Sequence, residues 1–365
     1  MIQIGLNLNK LHGIKMDKVK RIVTALSGGI PDMVPYMYNT TMRGIQQRIA
    51  GHEIDDPTVD GLNISGWIGC PGEEAQVVPL ISTIPEVAEI LGLDAIQIQI
   101  VPPIFAEQRI AGGTTNVTKG LIDSADALAA VRMPDPDDDK LLRSIGDMIK
   151  RYKGDFAMGA RIRLGAAPSL LSMGLENVAY FYADEDDTLI KTVGMYTDWN
   201  RRFNKNLCEL DFDFFWAFDD IAFTSNMLIS PTMFREIFKE NLRKAASTIS
   251  KPWIFHSDGN YREVLDDIVD LGASGIHPIE KSSMDAQWLK ENYGDKLCLI
   301  GNIDIDYTLS FGTEEEVDQE VRERIKQLGP GGGYIIADSN SIPDGCRAEN
   351  VLAMAKAIEK YRRIY

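Results

Sequence analysis

The sequence predicts an α/β fold, a single (β/α)8 barrel, and three observations predict it. Eight short apolar runs rich in β-branched and aromatic residues recur along the 365 residues. Segments of helical period separate them, as parallel βα units with right-handed crossovers require. Eight is also the number of strands that closes such a barrel.

The elements follow in order. Val19, Ile22, Val23 and Leu26 stand at helical spacing before "GGIPD" ends the pattern, so 1–31 reads as an N-terminal helical extension. "DMVPYMYN" from 32 and "DAIQIQIV" from 94 are the first two strands, followed by an insertion at about 104–137 that ends in the acidic "MPDPDDDK". "FAMGARIRLG" from 156 is the third strand, and a second insertion occupies about 167–208 before "DFFWAFDDIAF" from 213. Both insertions are expected as lids or extra helices over one face, because loops absorb added length at little entropic cost. The last four strands, "PWIFHSDG" from 252, "SGIHPIE" from 274, "KLCLIGNID" from 296 and "GGYIIADSNSIP" from 332, follow at short intervals. Between them, Val264, Leu265, Ile268, Val269 and Leu271 make an apolar stripe ended by Gly272. Thr313 and Glu316 form a capping box that opens a helix buried through Val317, Val321, Ile325 and Leu328 and closed by Gly329. No repeat or linker divides the chain, so 1–365 reads as one domain.

Composition narrows the function. A formal charge of -16 repels a phosphate backbone, so no nucleic-acid partner is expected. No stretch approaches the roughly 18 apolar residues of a membrane helix, and the opening residues lack the apolar block of an export signal, so a cytoplasmic location is expected. Cys70, Cys208, Cys298 and Cys346 are far apart and form no CxxC pair, which argues against a zinc finger or a disulfide framework.

The carboxyl ends of barrel strands converge on one mouth, where polar residues are disproportionately catalytic. His256 ends the fifth run, His277 ends the sixth, and Cys298 lies in the seventh, at equal intervals of one βα unit. Two imidazoles and a thiolate suit zinc, and three protein ligands with an open fourth position describe a catalytic centre. Each also has a plainer role open to it, the histidines as core groups and Cys298 as a small hydrophobe. Asp258 either caps the following helix or faces the site. Asp219 and Asp220 end an apolar strand, where a carboxylate needs a partner; one faces the site, Asp219 being taken as the substrate contact, or either pairs with Arg161 or Arg163. Asp258 and Glu280 are candidate acids or partners of an imidazole, and Asn302 is a candidate substrate contact. Tyr36 and Trp216 are candidates to stack on a substrate ring, or pack in the core.

The stretch "FHSDGN…SGIHPIE…KLCLIGNIDID…GGGYIIADSNSIPDGCRAEN", with "MDKVKRIVTALSGGIPDMVP" near the start, resembles the uroporphyrinogen decarboxylase superfamily and, within it, the corrinoid-dependent methyltransferases. The resemblance implies one barrel with its site at the strand carboxyl ends. The early Arg-Gln-Ala-Gly-Arg stretch of true decarboxylases is replaced here by "PYMYNTTMRG". The His-x-Cys pair of the best-known methyltransferases is replaced by His256-Ser257-Asp258, and their late cysteine by Asn340. Relatives that demethylate methoxylated aromatics draw zinc ligands from other strands, and His256, His277 and Cys298 resemble a variant of that set. The implied chemistry is transfer of a methyl group from a small methylated donor to the cobalt of a corrinoid, with zinc activating the leaving oxygen. This chain has no Asp-x-His-x-x-Gly cobalamin motif, so the resemblance implies a corrinoid protein as partner. The alternative is a metal-free decarboxylase or lyase acting on a small acid through Asp219, His256 and His277; a corrinoid-binding protein without turnover is a third. A homodimer is possible for a barrel with exposed outer helices.

Overall fold

The eight apolar runs lie side by side in chain order, each hydrogen-bonded to the next. The computed structural model describes residues 15–59, 68–111 and 114–365. β1 (Ile68–Gly69) and β2 (Leu80–Ile81) are short strands ahead of β3 (Ala95–Gln99), and β4 (Ile104–Ala111) and β5 (Thr114–Gly120) form a hairpin. Next come β6 (Ala157–Ile162), β7 (Phe214–Phe218), β8 (Trp253–His256), β9 (Gly275–His277), β10 (Cys298–Ile303) and β11 (Tyr334–Asp338). From β3 and β6 onward these strands make one parallel sheet. The run from 32 closes it: Tyr36 is bridged to Ile336 of β11, and its carbonyl accepts the Asp94 N–H at 2.7 Å. Pro35 has no N–H to give, which helps keep this eighth stave to a bridge rather than a long ladder. The fold is the expected barrel.

α1 (Lys18–Leu26), α2 (Arg43–Ala50) and α3 (Pro85–Leu91) precede β3; α4 (Ala125–Ala130) and α5 (Asp139–Tyr152) precede β6. α6 (Ala166–Met173), α7 (Leu175–Ala183) and α8 (Asp187–Cys208) precede β7. The later units carry α9 (Pro231–Met233) with α10 (Lys239–Ala246), α11 (Leu265–Asp270), α12 (Ala286–Tyr293), α13 (Glu314–Leu328) and α14 (Ala348–Tyr361). Of the extension expected over 1–31, residues 1–14 lie outside the described residues. The first insertion, apart from residues 112–113, which lie outside the described residues, holds the β4–β5 hairpin and α4. In the second, the long α8 buries Leu189, Val193, Tyr196, Phe203 and Leu207, so much of that stretch is the outer helix of its own βα unit rather than a lid. The capping box forms: Thr313 Oγ1 accepts the Glu316 N–H at 3.3 Å, and Glu316 accepts the Thr313 N–H at 2.7 Å. Among the described residues no helix is long and apolar enough to cross a membrane.

Alternation along each strand sorts the side chains. Outward residues pack under the helices, while inward residues such as Ala157, Phe214, Trp216, Ile254, Cys298 and Ile300 form a second apolar cluster with Ile22, Ala25 and Leu26 of α1. That helix plugs the N-terminal end of the barrel. An ion cluster secures it there: Arg21 reaches Asp32 at 2.7 Å and Asp94 at 2.5 Å, and Arg362 pairs with Asp94 as well. Burial opposes the charge on Asp32, but Arg21 more than offsets it and holds that carboxyl below its usual range.

Candidate active site

The site is assembled by the turn that follows β8. Ile254 and His256 point into the barrel while Phe255 faces the helices, so the strand delivers an imidazole to the mouth. The chain then turns at Gly259 (φ 80°), where an added Cβ would stand 2.3 Å from the Phe223 carbonyl group. Only glycine fits this turn, because the backbone is left-handed and packed directly on the loop after β7. The turn gathers carboxylates by their hydrogen bonds to its backbone: Asp258 N–H donates to Asp220 Oδ1 at 3.1 Å, and Gly259 N–H donates to Glu280 Oε2 at 3.0 Å.

His256 Nε2 lies 3.5 Å from Asp220 Oδ1 and 3.5 Å from Asp258 Oδ1. Asn340 Nδ2 donates to the other Asp258 oxygen at 2.8 Å, and Asp258 Oδ1 has no hydrogen-bond partner. Ligands bonded at about 2.1 Å in a tetrahedral shell stand about 3.4 Å apart; the two distances from His256 match that spacing, and the three donor atoms all lie within 4.8 Å of one another. The electrostatics agree. Burial raises the Asp258 pKa to about 8, with Asp220 and Glu280 adding to the rise. Burial also raises Asp220, with Arg163, 4.0 Å away, opposing it. The two side chains are 38% and 37% exposed at the mouth, while Asp258 Oδ1, the oxygen nearest His256, is itself buried. Burial, then Arg161 and Arg163, push His256 well below its ordinary value, and a neutral imidazole is the ligating form. Three carboxylates close together, with one long contact to Arg163, favour uptake of a proton or a metal.

The expected ligand triad is corrected. His277 does not reach the carboxylates: it sits behind His256, with Nδ1 2.7 Å from His256 Nδ1. Cys298 is one layer away, because β10 registers Cys298 against Gly275, which leaves Ile300 rather than Cys298 beside His277. Equal sequence intervals did not give equal register, since the segment between β9 and β10 uses two more residues than that between β8 and β9. Burial also raises the Cys298 thiol far above its usual range, which keeps it protonated.

The substrate contacts divide similarly. Asp219 turns away from the mouth and accepts the N–H groups of Leu164, Gly165 and Ala167, fixing the loop into α6, so its neighbour Asp220 takes the place at the site. Tyr36 faces the helical jacket, hydrogen-bonded to Tyr38 and lining a depression with Leu91 and Leu352. Trp216 is fully buried one layer below the histidines, stacked on Phe218 with its edge to His277. Asn302 donates to the Ile279 carbonyl at 2.8 Å and braces the loop that carries Glu280. Glu280 is at the mouth, held by Gly259 and Ser283, beside a cleft of about 440 Å³ lined also by Asp304, Ser339 and Asn340.

Residues 108–361 match the family of uroporphyrinogen decarboxylase (URO-D). The chain belongs to this family. Among curated proteins it is similar to the methylcobamide:CoM methyltransferase MtaA of Methanosarcina barkeri, at 28% identity over 37% of this chain and 38% of that protein. It is also similar to a methylated-thiol–coenzyme M methyltransferase of Methanosarcina mazei, at 25% identity over 60% of this chain and 58% of that protein. The matched part thus spans less than two thirds of either relative. A solved methyltransferase from Methanosarcina mazei shares the fold, with TM-score 0.69 and 20% identity over 95% of this chain and 99% of that one. His256, Asp258 and Asn340 come together in one place here, joined by the Asn340–Asp258 hydrogen bond. Asp220 is the member of this cluster that the sequence pattern left undecided.

Proposed function

We propose that this URO-D family chain is a methyltransferase that moves a methyl group from a small methoxylated aromatic to the cobalt of a corrinoid carried by a separate protein. Asp220, His256 and Asp258 are the residues that would hold a zinc ion at the mouth. The observation that carries this reading is the approach of His256 Nε2 to within 3.5 Å of both carboxylates. The names of the two curated relatives support the reaction class.

An aryl ether has a poor leaving group, and a zinc ion held there would stabilise the negative charge that develops on its oxygen. Glu280, held beside the turn through Gly259 and Ser283, orients or protonates the departing oxygen. Asn340 fixes one oxygen of Asp258 and leaves the other for the ion. The substrate enters over the cleft beside Glu280 and Asn340.

A thiol substrate is the second reading, favoured by the names of the relatives. One imidazole with two carboxylates is a hard donor set, better matched to an oxygen substrate than to a thiolate. Purified protein assayed for zinc and mixed with reduced corrinoid carrier and a panel of methoxylated aromatics distinguishes the two. A rise in methyl–cobalt absorbance that disappears in Asp258→Ala is the expected result. Turnover of methylated corrinoid with thiols, and none with any ether, supports the second reading; no transfer in either direction, with release of carbon dioxide from a small acid, removes both.

A further inference from the structure

We infer that His277 is a positioning residue for the metal cluster: by accepting the Nδ1 proton of His256 it fixes the tautomer that turns the Nε2 lone pair toward Asp220 and Asp258. The inference rests on the metal reading above and concerns the side chain that the sequence had marked as a ligand.

The geometry is that of a directed hydrogen bond. The two Nδ1 atoms are 2.7 Å apart, the ring centroids are 4.9 Å apart, and the planes lie within 24° of each other. Such a short atom-to-atom distance with so long a centroid distance puts the rings edge to edge in a nearly common plane, where the nitrogen lone pairs lie. The backbone fixes the pairing, since His256 and His277 are register partners on β8 and β9. Trp216 meets the His277 ring at 84° with centroids 4.8 Å apart, and Phe218 lies 4.3 Å from the His256 ring, so neither imidazole is free to turn.

Counting protons then leaves one arrangement. Two neutral imidazoles carry two protons on four ring nitrogens, and the short contact holds one proton between the Nδ1 atoms. A metal ion on His256 Nε2 excludes a proton there. The second proton is therefore on His277 Nε2, which makes His277 Nδ1 the acceptor and His256 Nδ1–H the donor. The Asp338 main chain lies beside the His277 ring and, as an acceptor, favours a proton on it. Hydrogen-bond partners of this kind set the tautomer and basicity of a metal-bound imidazole.

Three proteins test the inference: the wild type, His277→Phe, which keeps a ring against Trp216 but accepts no hydrogen bond, and His277→Asn, whose amide oxygen sits where Nδ1 does. Zinc affinity is read by competition with a chromophoric chelator, and the melting temperature of the metal-free proteins reports folding. His277→Phe is expected to bind zinc about 10- to 100-fold more weakly, with His277→Asn returning to within a few-fold of the wild type. In the zinc-loaded wild type, nitrogen-15 shifts of the imidazoles should show His256 protonated on Nδ1 and His277 on Nε2, a readout that does not depend on any variant folding. Wild-type affinity in His277→Phe, or a proton on Nδ1 of His277, overturns the inference and leaves the metal site standing. A wild type that binds no zinc overturns the metal reading first and this inference with it.

Discussion

The two ends of the barrel both gather charged side chains, and they do so in opposite ways. At the N-terminal end Arg21 and Arg362 enclose Asp94, with Asp32 completing the set, so charge is balanced and every carboxylate has a guanidinium partner. At the mouth Asp220, Asp258 and Glu280 crowd a neutral histidine, and the nearest cation to Asp220 is Arg163 at 4.0 Å. The closed end therefore contributes to stability, tying α1, the stave from 32, β3 and the C-terminal helix together. The open end has one long contact to Arg163 for its three carboxylates, and the zinc ion proposed above would add positive charge there. Balance of charge, rather than the presence of charge, separates the structural cluster from the functional one.

The sharpest way to break this contrast is to remove the shared carboxylate at the closed end. Asp94→Asn takes the shared anion from Arg362 and leaves Arg21 with Asp32 alone, and the loss is expected to be about 3–5 kcal/mol of folding stability, with zinc affinity unchanged. Chemical denaturation of the metal-free protein checks this; a loss below about 1 kcal/mol would mean that the closed end is not the structural one.

At the mouth the expected effect is smaller and depends on pH. The Asp258 carboxyl, raised to about 8 in the folded protein, stands above its unfolded value of about 3.9. The protonated form is favoured by folding, so its contribution to stability is complete below about pH 4 and is lost as pH rises through about 8. Metal-free wild type should therefore lose melting temperature between pH 6 and pH 8.5 relative to Asp258→Asn, in which that titration is absent. Zinc affinity of the wild type should rise over the same interval, because proton and metal compete for one carboxylate. Parallel melting curves for the two proteins across this range would sink the assignment.

The smallest effect belongs to Cys298. Packed with the plug side chains of α1, it should tolerate Cys298→Ala at a cost of about 1 kcal/mol and with unaltered zinc affinity. A large fall in zinc binding would restore it to the ligand set and undo the comparison of the two ends.

Much of this was legible along the chain. The eight runs became the eight staves, the Thr313–Glu316 box opened α13, and His256 arrived at the mouth because a strand of alternating side chains ended there. The candidate site was legible only in part. Asp219 and Asp220 are adjacent and chemically identical, and which one faced the mouth depended on the loop into α6, whose N–H groups claimed Asp219. Cys298 shared its spacing with His256 and His277, yet two extra residues between β9 and β10 moved it one layer away. Tyr36 and Trp216 carried the right chemistry for a substrate ring and were taken by packing, one against the jacket and one inside the barrel.

By itself the sequence determined the architecture of this URO-D family chain, its acidic balance and the strand that presents the central histidine, because hydrophobic period and capping are local properties. Only the tertiary structure decided that Asp220 and Asp258 face His256, that His277 stands behind it, and that Cys298 belongs to the core. Those outcomes depend on the register between neighbouring strands and on which loop donates its hydrogen bonds to which carboxylate, and neither is written in the spacing of residues along one chain.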